Sequence, residues 1–582
     1  MNVDFQALKE RTLQIEKAGD IEKIIACDTP YQRFVQAAAQ FSGNIAVKYM
    51  GTNIRYCELL KLIDKLANGF DSIGIKKDDV VTVSLLGTPY AIAVFYALDK
   101  LGACQHMVNS ASGLDELKRE LSHFHSKYYV ANDIFCTNDV ISTLRANGVK
   151  KIVTVSLLDG MQKYPNKDRV IYTAIEKSKG IPKNIMKASS DILTCKELIE
   201  IGEEYSCDVV PATYEEDHMA TVAYTSGSTG NSKACVATWR AIDSFVQVLA
   251  MTEIGRYHIG DILFTTFPLW IYYSLLNMLH EPLCLGITVA LDPIYKPENL
   301  ARRNKQYRFH HWPTIPPYIS KMVSMNKKMD CSRWCVVSVG GVELTNETKL
   351  DGDAYIQKNG GNAKIVQGYG ASEVLGSFSY CYYDNPTLGS LGKPCIGNMF
   401  KLVDVRTGRE IQDGNEGLLY IYSPAMMSEY YGDEESTKAS LITDENGAVW
   451  YNTEDIMRVN ENGELFFVDR LRRMTVTIDS AGKPNKLIPS KTEKCIAQIP
   501  GVEECAVITV HDPERENIPI AFVKASPDCG DAFKQEIVEY CKDNIYEYQV
   551  PAEVIFVDAM PLTNSQKPDY KELEQQYQKR RQ

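Results

Sequence analysis

At 582 residues the chain is too long for one compact core, and a size of about 150 residues per domain predicts several units. Hydrophobic residues make up 45% of the chain and charged residues 24%, as in an ordinary globular protein. The net charge of -12 argues against a nucleic acid or an anionic membrane surface as partner. The longest apolar stretch, residues 267–279, is too short to cross a bilayer, so no membrane span is expected.

The cysteines are numerous but scattered. Sixteen are present, and the mixed charges of residues 1–17 do not resemble a secretion signal, so free thiols in a reducing cytoplasm are expected. Cys331 and Cys335 are close in sequence, but no second pair follows at zinc-site spacing. The adjacent histidines His310 and His311 are typical of a packed pair. The sequence therefore predicts a cytoplasmic protein without a structural zinc site.

The first part of the chain predicts alternating strands and helices. Thr88 can cap a helix, Pro89 suits its first turn, and Gly102 ends it. Short apolar segments at 80–86 and 104–108 flank this helix as strands. This alternation is typical of a parallel sheet, so an α/β fold is expected. Further along, a segment rich in Lys, Ser and Asn is interpreted as a surface elaboration, over residues 159–207.

Residues 221–233, TVAYTSGSTGNSK, pass from a β-prone segment into a loop rich in glycine and hydroxyl groups. Glycine permits close backbone approach, and exposed N–H groups and hydroxyls can surround phosphate oxygens. A helix is predicted from Thr238. The loop lacks the Gly-Lys-Ser/Thr ending of a Walker loop, and an ordinary surface loop is the alternative interpretation. The phosphate-binding candidates are Thr225, Ser226, Gly227, Ser228, Thr229, Gly230 and Lys233.

The pattern YTSGSTGxxK resembles the signature loop of the adenylate-forming enzymes, which include acyl- and aryl-CoA ligases, amino-acid adenylation domains and luciferases. Further segments resemble motifs of this family in the same order and cover nearly the whole chain. The resemblance implies a large N-terminal domain, built of parallel-sheet αβ subdomains and a β-rich subdomain, followed by a small mobile α+β domain. We expect these domains at residues 1–469 and 470–582, with a hinge at Arg472.

Two segments resemble the walls of the family's acid and adenine pockets. The segment PLWIYY has Ile271 where the family commonly has His, and VVSVGGVEL resembles the stretch that lies against adenine. A packed core is the alternative interpretation, because periodicity does not separate the two. The resemblance implies an acid pocket of Trp270, Ile271, Tyr272 and Gly370, and nucleotide contacts from Gly341 and Val342.

The segment IVQGYGASE, residues 365–373, resembles the family's YGxTE motif, with Ser372 in place of Thr. A serine hydroxyl can donate to a phosphate oxygen, and Glu373 can bind Mg²⁺, which prefers oxygen ligands. The resemblance implies catalytic roles for these two residues and a nucleotide contact for Tyr369. The Gln-Gly before the tyrosine is the form usual in acyl- and aryl-CoA ligases.

Later residues complete the resemblance. Asp455 stands where the family binds ribose, and Arg470 where its paired arginine lies; a carboxylate can accept both ribose hydroxyl protons. Glu454, before the aspartate, replaces a residue that is commonly Gly. Near the C-terminus, PLTNSQK resembles the PxTxxGK motif with Gln566 in place of Gly, which implies a catalytic role for Lys567. Without the resemblance, a turn aspartate and a solvated lysine would be the default interpretations.

The resemblance implies that the chain activates a carboxylic acid with ATP and Mg²⁺ to acyl-AMP, releases pyrophosphate, and uses CoA as second substrate. We predict an apolar or aryl acid, because Ile271 sits near where amino-acid-activating relatives often place an Asp for the substrate ammonium. The segment from Arg470 to Pro489 is longer than usual, with Val476 near the usual Lys and Lys491 in place of Glu, so CoA transfer is less firmly implied than adenylation. The alternatives are a stand-alone enzyme that loads a phosphopantetheinyl carrier protein and an inactive nucleotide-binding homologue.

Overall fold

The structure is a computed structural model that describes residues 28–109, 113–161, 167–180, 189–205, 208–225, 232–252, 257–342, 344–381, 386–411, 416–562 and 568–581. The described strands form five sheets. Two of these sheets are large and mostly parallel, with helices between their strands. An antiparallel sheet follows, and two small sheets lie in the last part of the chain.

The elements of the first part alternate as predicted. Its strands are β1 (Ile45–Tyr49), β2 (Thr52–Arg55), β3 (Val80–Ser84), β4 (Cys104–Met107), β5 (Tyr128–Asn132), β6 (Lys151–Val155), β7 (Ile192–Thr194), β8 (Met219–Tyr224) and β9 (Ala234–Thr238). Its α-helices are α1 (Pro30–Gln40), α2 (Tyr56–Ser72), α3 (Pro89–Leu101), α4 (Leu114–Phe124), α5 (Asn138–Ala146), α6 (Lys167–Lys179), α7 (Cys195–Glu204) and α8 (Trp239–Thr252). Thr88 Oγ1 accepts the N–H of Ala91 at the start of α3, and Gly102 ends that helix at φ 72°.

The first large sheet has the strand order β7-β6-β5-β3-β4-β8-β9. Its strands are parallel except β9, which pairs antiparallel with β8 at one edge. The central strands are buried on both faces, as expected where helices cover a parallel sheet. This sheet places the loop after β8 at the carboxyl end of a parallel strand, where open α/β sheets bind ligands.

The middle part of the chain forms the second large sheet and the antiparallel sheet. The strands are β10 (Ile262–Thr265), β11 (Thr288–Leu291), β12 (His311–Thr314), β13 (Val336–Val339), β14 (Lys364–Ala371), β15 (Gly376–Tyr380), β16 (Lys393–Pro394), β17 (Met399–Val403), β18 (Gly417–Tyr422), β19 (Leu441–Thr443), β20 (Val449–Val459) and β21 (Leu465–Arg470). The helices are a π-helix (Tyr273–His280), α9 (Glu281–Cys284), α10 (Leu300–Tyr307), α11 (Pro316–Met325), α12 (Asn346–Lys358) and α13 (Glu434–Ser440).

The second large sheet has the order β16-β15-β14-β13-β12-β10-β11-β1-β2, with antiparallel pairs only toward its two edges. Strands β17 to β21 form the antiparallel sheet, in which β20 pairs with β18, β19 and β21. One large apolar cluster contains buried residues of both parallel sheets, including Val83 and Val289, so the two sheets share a core.

The last part of the chain is a small α+β unit. Its elements are β22 (Thr475–Ile478), β23 (Pro484–Leu487), α14 (Pro489–Ile496), β24 (Val502–Asp512), β25 (Glu516–Ala525), α15 (Ala532–Asn544), β26 (Glu553–Phe556) and α16 (Tyr570–Arg581). Strands β22 and β23 form a hairpin, and β24, β25 and β26 form a three-stranded sheet. The predicted α/β class, with a large N-terminal part and a smaller α+β part, is confirmed.

The expectation that residues 159–207 are only a surface elaboration is wrong for the part of this segment that the structure describes. Strand β7 extends the first sheet, and Cys195 and Leu198 of α7 are fully buried. Asp168 of α6 forms buried ion pairs with Arg302 (2.6 Å) and Arg303 (2.7 Å) of α10. The polar composition concealed this docking because a few buried apolar residues and ion pairs hold the segment.

No helix among the described residues is both long enough and apolar enough to cross a membrane.

Candidate active site

The hydroxyl-rich loop is closed at its base by two hydrogen bonds. The N–H of Thr225 donates to the carbonyl oxygen of Lys233 (2.9 Å), and the N–H of Lys233 donates to Thr225 Oγ1 (3.0 Å). These bonds continue the antiparallel pairing of β8 with β9, a strand that the sequence analysis missed before the helix it expected from Thr238. The remaining loop candidates lie outside the described residues: Ser226, Gly227, Ser228, Thr229 and Gly230.

A cation, a phenol and a carboxylate meet beside this loop. Lys233 Nζ lies 4.7 Å from the centroid of the Tyr430 ring, and the Tyr430 hydroxyl donates to Glu373 Oε1 (2.6 Å). Both Tyr430 and Glu373 are buried. Burial and the Glu373 carboxylate raise the pKa of Tyr430, so the phenol stays protonated and acts as a donor. The carboxylate is therefore held in one orientation with a positive charge nearby.

The turn that carries Glu373 follows directly on β14. Residues Ser372–Val374 form one 3₁₀ turn, and the N–H of Met427 donates to the carbonyl oxygen of Glu373 (2.8 Å). Gly370 permits the close approach of β15, because a Cβ atom on it would lie 1.8 Å from the carbonyl oxygen of Gly376. Backbone packing therefore requires glycine at this position.

A second cluster joins Tyr369 to two residues of the antiparallel sheet. The Tyr369 hydroxyl donates to Asp455 Oδ2 (2.6 Å), and Arg470 Nε lies 3.0 Å from Asp455 Oδ1. Burial and the Asp455 carboxylate raise the pKa of Tyr369 well above its usual value. Burial is the largest influence on the pKa of Arg470 and lowers it, but Asp455, Tyr369, Tyr451 and Glu373 together outweigh burial, and the net shift is upward. The aspartate is thus buried and paired.

The backbone before Asp455 has a conformation that favours glycine. Glu454 adopts φ 57°, in the left-handed region, where the family commonly has Gly. The N–H of Asp455 donates to Thr453 Oγ1 (3.1 Å), and the Thr453 hydroxyl donates to the carbonyl oxygen of Leu419 (2.8 Å). The local backbone is therefore preserved although the glycine is replaced.

The predicted acid-pocket residues lie in different environments. Trp270 is half-buried, with its ring edge-on to Phe135 at a centroid distance of 6.5 Å. Ile271 is 41% exposed. Tyr272 is buried in the core, where its hydroxyl lies 2.9 Å from the carbonyl oxygen of Cys235 on β9. The Tyr272 hydroxyl therefore contacts the backbone of the first sheet.

The predicted adenine segment forms the turn after β13. Gly341 adopts φ 78°, and Gln367 Nε2 of β14 donates to the carbonyl oxygen of Val342 (3.4 Å). A Cβ atom on Gly340 would lie 3.8 Å from the ring of Tyr273, so an aromatic side chain borders this turn. The segment therefore lies between the π-helix and β14.

Arg472, the predicted hinge, is exposed in a single 3₁₀ turn between β21 and β22. Asp469, just before it, is fully buried: its Oδ1 lies 3.4 Å from the Arg473 guanidinium, and its Oδ2 accepts the N–H of Ser490 (3.0 Å). Arg473 also pairs with Glu493 (2.7 Å) of α14. Charged contacts on both sides of the turn therefore tie the antiparallel sheet to the C-terminal unit.

Lys567 lies outside the described residues. The residues flanking its segment, Leu562 and Pro568, form an isolated antiparallel bridge, and α16 follows.

Sequence reasoning missed Tyr430, which contacts both Lys233 and Glu373. It is separated from these residues by many positions, and a tyrosine before a turn carries no functional signal of its own. The double tyrosine in SEYY gave no means of choosing between Tyr430 and Tyr431. The antiparallel sheet that brings Tyr430 to the loop could not be inferred from local pattern.

The two parallel sheets, the antiparallel sheet and the small α+β unit define a large α/β protein, and its two carboxylate clusters are candidates for binding a nucleotide. A family profile described as AMP-binding enzyme matches residues 34–431, and one described as AMP-binding enzyme C-terminal domain matches residues 491–567. The chain belongs to the AMP-binding enzyme family. The resemblance drawn from the sequence motifs is confirmed.

Individual relatives match over nearly the whole chain at low identity. The 4-coumarate–CoA ligase-like 6 of Arabidopsis thaliana is 23% identical over 534 residues, which cover 90% of this chain and 86% of that protein. The 4-coumarate–CoA ligase 1 of Petroselinum crispum is 25% identical over 527 residues, 89% of this chain and 88% of that one. The ATP-bound structure of MatB from Rhodopseudomonas palustris superposes with a TM-score of 0.78 at 18% identity, and covers 94% of this chain and 99% of that one.

Proposed function

We propose that this chain is an AMP-forming carboxylic acid:CoA ligase. One observation carries the proposal: β14 and the turn after it supply one residue to each of two separate clusters. Tyr369 contacts Asp455, which pairs with Arg470. Glu373 accepts a hydrogen bond from Tyr430, and Lys233 lies over the Tyr430 ring. The first cluster offers acceptors for sugar hydroxyls, and the second offers a cation and a metal ligand for phosphates. One nucleoside triphosphate can therefore span both.

In the proposed first step, a carboxylate oxygen of the acid bonds to the α-phosphorus of ATP, and the bond from that phosphorus to pyrophosphate breaks. Both reactants are anions, so positioning and electrostatic stabilisation dominate the rate. Lys233 and the hydroxyls of the loop hold the departing phosphates, Ser372 donates to a phosphate oxygen, and Lys567 bridges oxygens of acid and nucleotide. In the second step the CoA thiol loses its proton, attacks the acyl carbon and displaces AMP.

Glu373 fits the role of Mg²⁺ ligand. Its carboxylate oxygens are of the type that Mg²⁺ prefers, and Oε1 accepts one hydrogen bond from Tyr430, which leaves further acceptor capacity on the group. Tyr430 fixes the orientation of the carboxylate, and Lys233 Nζ lies over the phenol ring, 4.7 Å from its centroid. When bound, Mg²⁺ would neutralise charge on the nucleotide phosphates.

The proposed acid is apolar or aryl and has no α-amino group. The half-buried rings of Trp270 and Tyr273 border the candidate pocket, and Ile271 brings no carboxylate for an ammonium. A buried ammonium without a partner is costly. One relative is named as a ligase of 4-coumarate, which is an acid with an aryl ring. Another is named as similar to such a ligase.

Free CoA is the proposed acceptor. The lengthened segment after Arg470 contains the β22–β23 hairpin. Beyond the hairpin, the Lys491 ammonium lies 3.5 Å from the Glu416 carboxylate, so the lysine forms a surface ion pair. We propose that the units at 1–469 and 470–582 alternate between two orientations about Arg472, one for each half-reaction, as rigid-body switches do. We place the enzyme in the cytoplasm.

The test is pyrophosphate release from ATP, Mg²⁺ and a panel of aryl, fatty and amino acids, with and without CoA. We expect an aryl or fatty acid to give the fastest release and to yield its acyl-CoA. If amino acids work best, the substrate proposal fails. If acyl-AMP accumulates without acyl-CoA while a phosphopantetheinyl carrier protein is acylated, the carrier-loading enzyme is correct. If ATP binds in a calorimeter but no acid causes release, the chain is an inactive homologue.

A further inference from the structure

In the second large sheet, side chains of the types that bind metals lie together at the ends of the strands opposite the candidate active site. Asp261 precedes β10, His311 opens β12, and Cys335 precedes β13. These strands are parallel neighbours, with Leu263 paired to His311 and His311 paired to Val336. All three groups therefore lie at the amino ends of adjacent strands, whereas the nucleotide-site candidates follow the carboxyl ends.

The potential ligand atoms are close to one another. His311 Nε2 lies 3.0 Å from Asp261 Oδ2, and one ligand atom from each of Asp261, His311 and Cys335 lies within 4.8 Å of the other two. A second imidazole is within reach, because His258 Nδ1 lies 3.6 Å from Asp261 Oδ2. An aspartate, a thiol and one imidazole thus converge, and a second imidazole lies beside the aspartate.

Burial makes this cluster different from a surface ion pair. Asp261 and His311 are buried, and the Tyr257 ring packs edge-on against the His311 ring at 4.6 Å. Cys335 and His258 are exposed, so an ion could enter from solvent between a buried inner pair and an exposed outer pair.

The neighbouring His310 also approaches Asp261, with Nδ1 3.6 Å from Oδ1, but its hydrogen bonds go to other groups. Its Nδ1 lies 2.9 Å from the N–H of Ile262, and its Nε2 lies 2.7 Å from the Arg333 guanidinium. Both ring nitrogens of His310 are therefore engaged. The positive charge of Arg333 is directed at His310, and His311 remains the inner imidazole for a cation.

We propose that Asp261, His311, Cys335 and His258 form a zinc site. Zinc prefers four tetrahedral ligands from thiolate, imidazole and carboxylate groups, which is the set present here. Binding would release the Cys335 thiol proton to solvent, and the thiolate and the Asp261 carboxylate would together balance the charge of Zn²⁺. A buried charge is stable only when it is paired in this way.

The site would be structural. A four-residue strand spans about 13 Å, so the cluster is separated from the carboxyl ends of the same strands by that distance. Zinc here would clamp the amino ends of β10, β12 and β13, the strands whose far ends lead to the acid and adenine segments. This inference departs from the expectation from sequence spacing that Cys335 and His311 belong to no metal site, and it does not depend on the proposed reaction.

The full-length protein, stripped of metal by a chelator and kept reduced, provides the test. We expect equilibrium dialysis against Zn²⁺ alone to give one zinc per chain, and Co²⁺ in its place to give a thiolate-to-metal charge-transfer absorption. Zinc should also raise the melting temperature, because it binds the folded state. The variant C335S should lose the charge-transfer band and bind zinc at least about tenfold more weakly, since loss of an outer-shell partner alone costs 10- to 100-fold.

Two further variants keep the test decisive. His258→Gln, at an exposed position that should not affect folding, is expected to weaken zinc binding while retaining the thiolate band. The control Cys57→Ser, a half-buried cysteine elsewhere, should bind like the wild type. If the wild-type chain takes up no zinc, or if the Cys335 and His258 variants keep its stoichiometry, affinity and thermal shift, the zinc site does not exist.

Discussion

Asp455 and Arg470 lie directly opposite each other on the neighbouring antiparallel strands β20 and β21, with Oδ1 and Nε 3.0 Å apart. The aspartate is 3% exposed, and the arginine and the Tyr369 hydroxyl contact its two carboxylate oxygens. A carboxylate has about four acceptor sites, so each oxygen can accept more than one hydrogen bond. The pairing of two strands thus builds the group that we propose binds ribose.

Asp455→Asn tests that role. The amide keeps the shape of the side chain but loses the charge, so hydrogen bonds from the ribose should weaken. Hydrogen bonds to charged groups contribute about 1.5–3 kcal/mol, and we expect the KM for ATP to rise by about 10- to 100-fold. Steady-state kinetics of pyrophosphate release measures this. The exposed neighbouring variant Glu454→Gln is the control and should leave the KM for ATP unchanged; equal effects in both variants would contradict the ribose assignment.

Tyr430→Phe tests the positioning of Glu373. The variant removes the hydrogen bond to the carboxylate and keeps the ring beside Lys233. We expect the Mg²⁺ concentration for half-maximal pyrophosphate release to rise by about tenfold, because the loss of a hydrogen bond to a charged group costs at least about 1.5 kcal/mol. Tyr431→Phe, the next residue, should behave as wild type. An unchanged Mg²⁺ dependence in Tyr430→Phe would mean that the carboxylate does not bind the ion.

Lys567→Ala separates the two half-reactions. If the lysine acts only when the C-terminal unit faces ATP, pyrophosphate release should fall by about a hundred- to a thousandfold, as for loss of a preorganised electrostatic group. The same variant, given synthetic acyl-adenylate and CoA, should form thioester at close to the wild-type rate. Equal loss of both steps would mean that the residue is structural or that the unit does not alternate.

Arg472→Pro should affect the rates of the two half-reactions in the opposite way. Proline fixes φ, so it restricts a rotation about this turn, and we expect thioester formation to suffer more than adenylation. Both half-reactions are measured in both variants by rapid quench. A proline variant with both rates at the wild-type level would remove Arg472 as the pivot.

The sequence predicted the strands and helices well where local chemistry decides them. Thr88 and Gly102 bound α3 as expected, and β4 (Cys104–Met107) lies within the strand predicted at 104–108. Contacts between distant segments were not predictable in this way. Tyr430 reaches Glu373 because the antiparallel sheet folds back onto β9, and Tyr272 turns its hydroxyl toward that strand.

The site residues also divide into those that the sequence predicted and those that depend on contacts between distant segments. The positions of Tyr369, Asp455 and Arg470 were predicted from the family resemblance, and the structure brings their side chains into contact. The spacing of the cysteines gave no zinc pattern, because the ligands proposed for the metal come from three separate strands. Only the sheet register shows that Asp261 and Cys335 converge.

Glu120 should make the protein less stable as the pH rises. It is 2% exposed on α4, its Oε2 has no hydrogen-bond partner among the described residues, and burial and Glu116 raise its pKa to about 8. An unfolded glutamate titrates near 4.3, so between these pH values the folded state binds one more proton than the unfolded state. The free energy of unfolding should therefore fall with pH over this window, by at most about 1.4 kcal/mol per pH unit.

Glu120→Gln should remove this dependence, because the amide stays neutral. We expect the variant to equal the wild type in stability near pH 4 and to exceed it near pH 8, as measured by urea denaturation. Asp115→Asn, at a fully exposed position on the same helix, is the control and should follow the wild-type pH profile. Parallel profiles for the wild type and Glu120→Gln would show that Glu120 is not buried as a neutral acid.

The central claim is that an oxygen of the acid attacks the α-phosphorus of ATP. An acid labelled with ¹⁸O in both carboxylate oxygens tests it most directly, with the products analysed by mass spectrometry after one turnover with ATP, Mg²⁺ and CoA. We predict that AMP carries one ¹⁸O atom, that the acyl-CoA keeps the other, and that pyrophosphate carries none. The appearance of ADP with labelled inorganic phosphate, or of AMP without label, would contradict the proposed reaction.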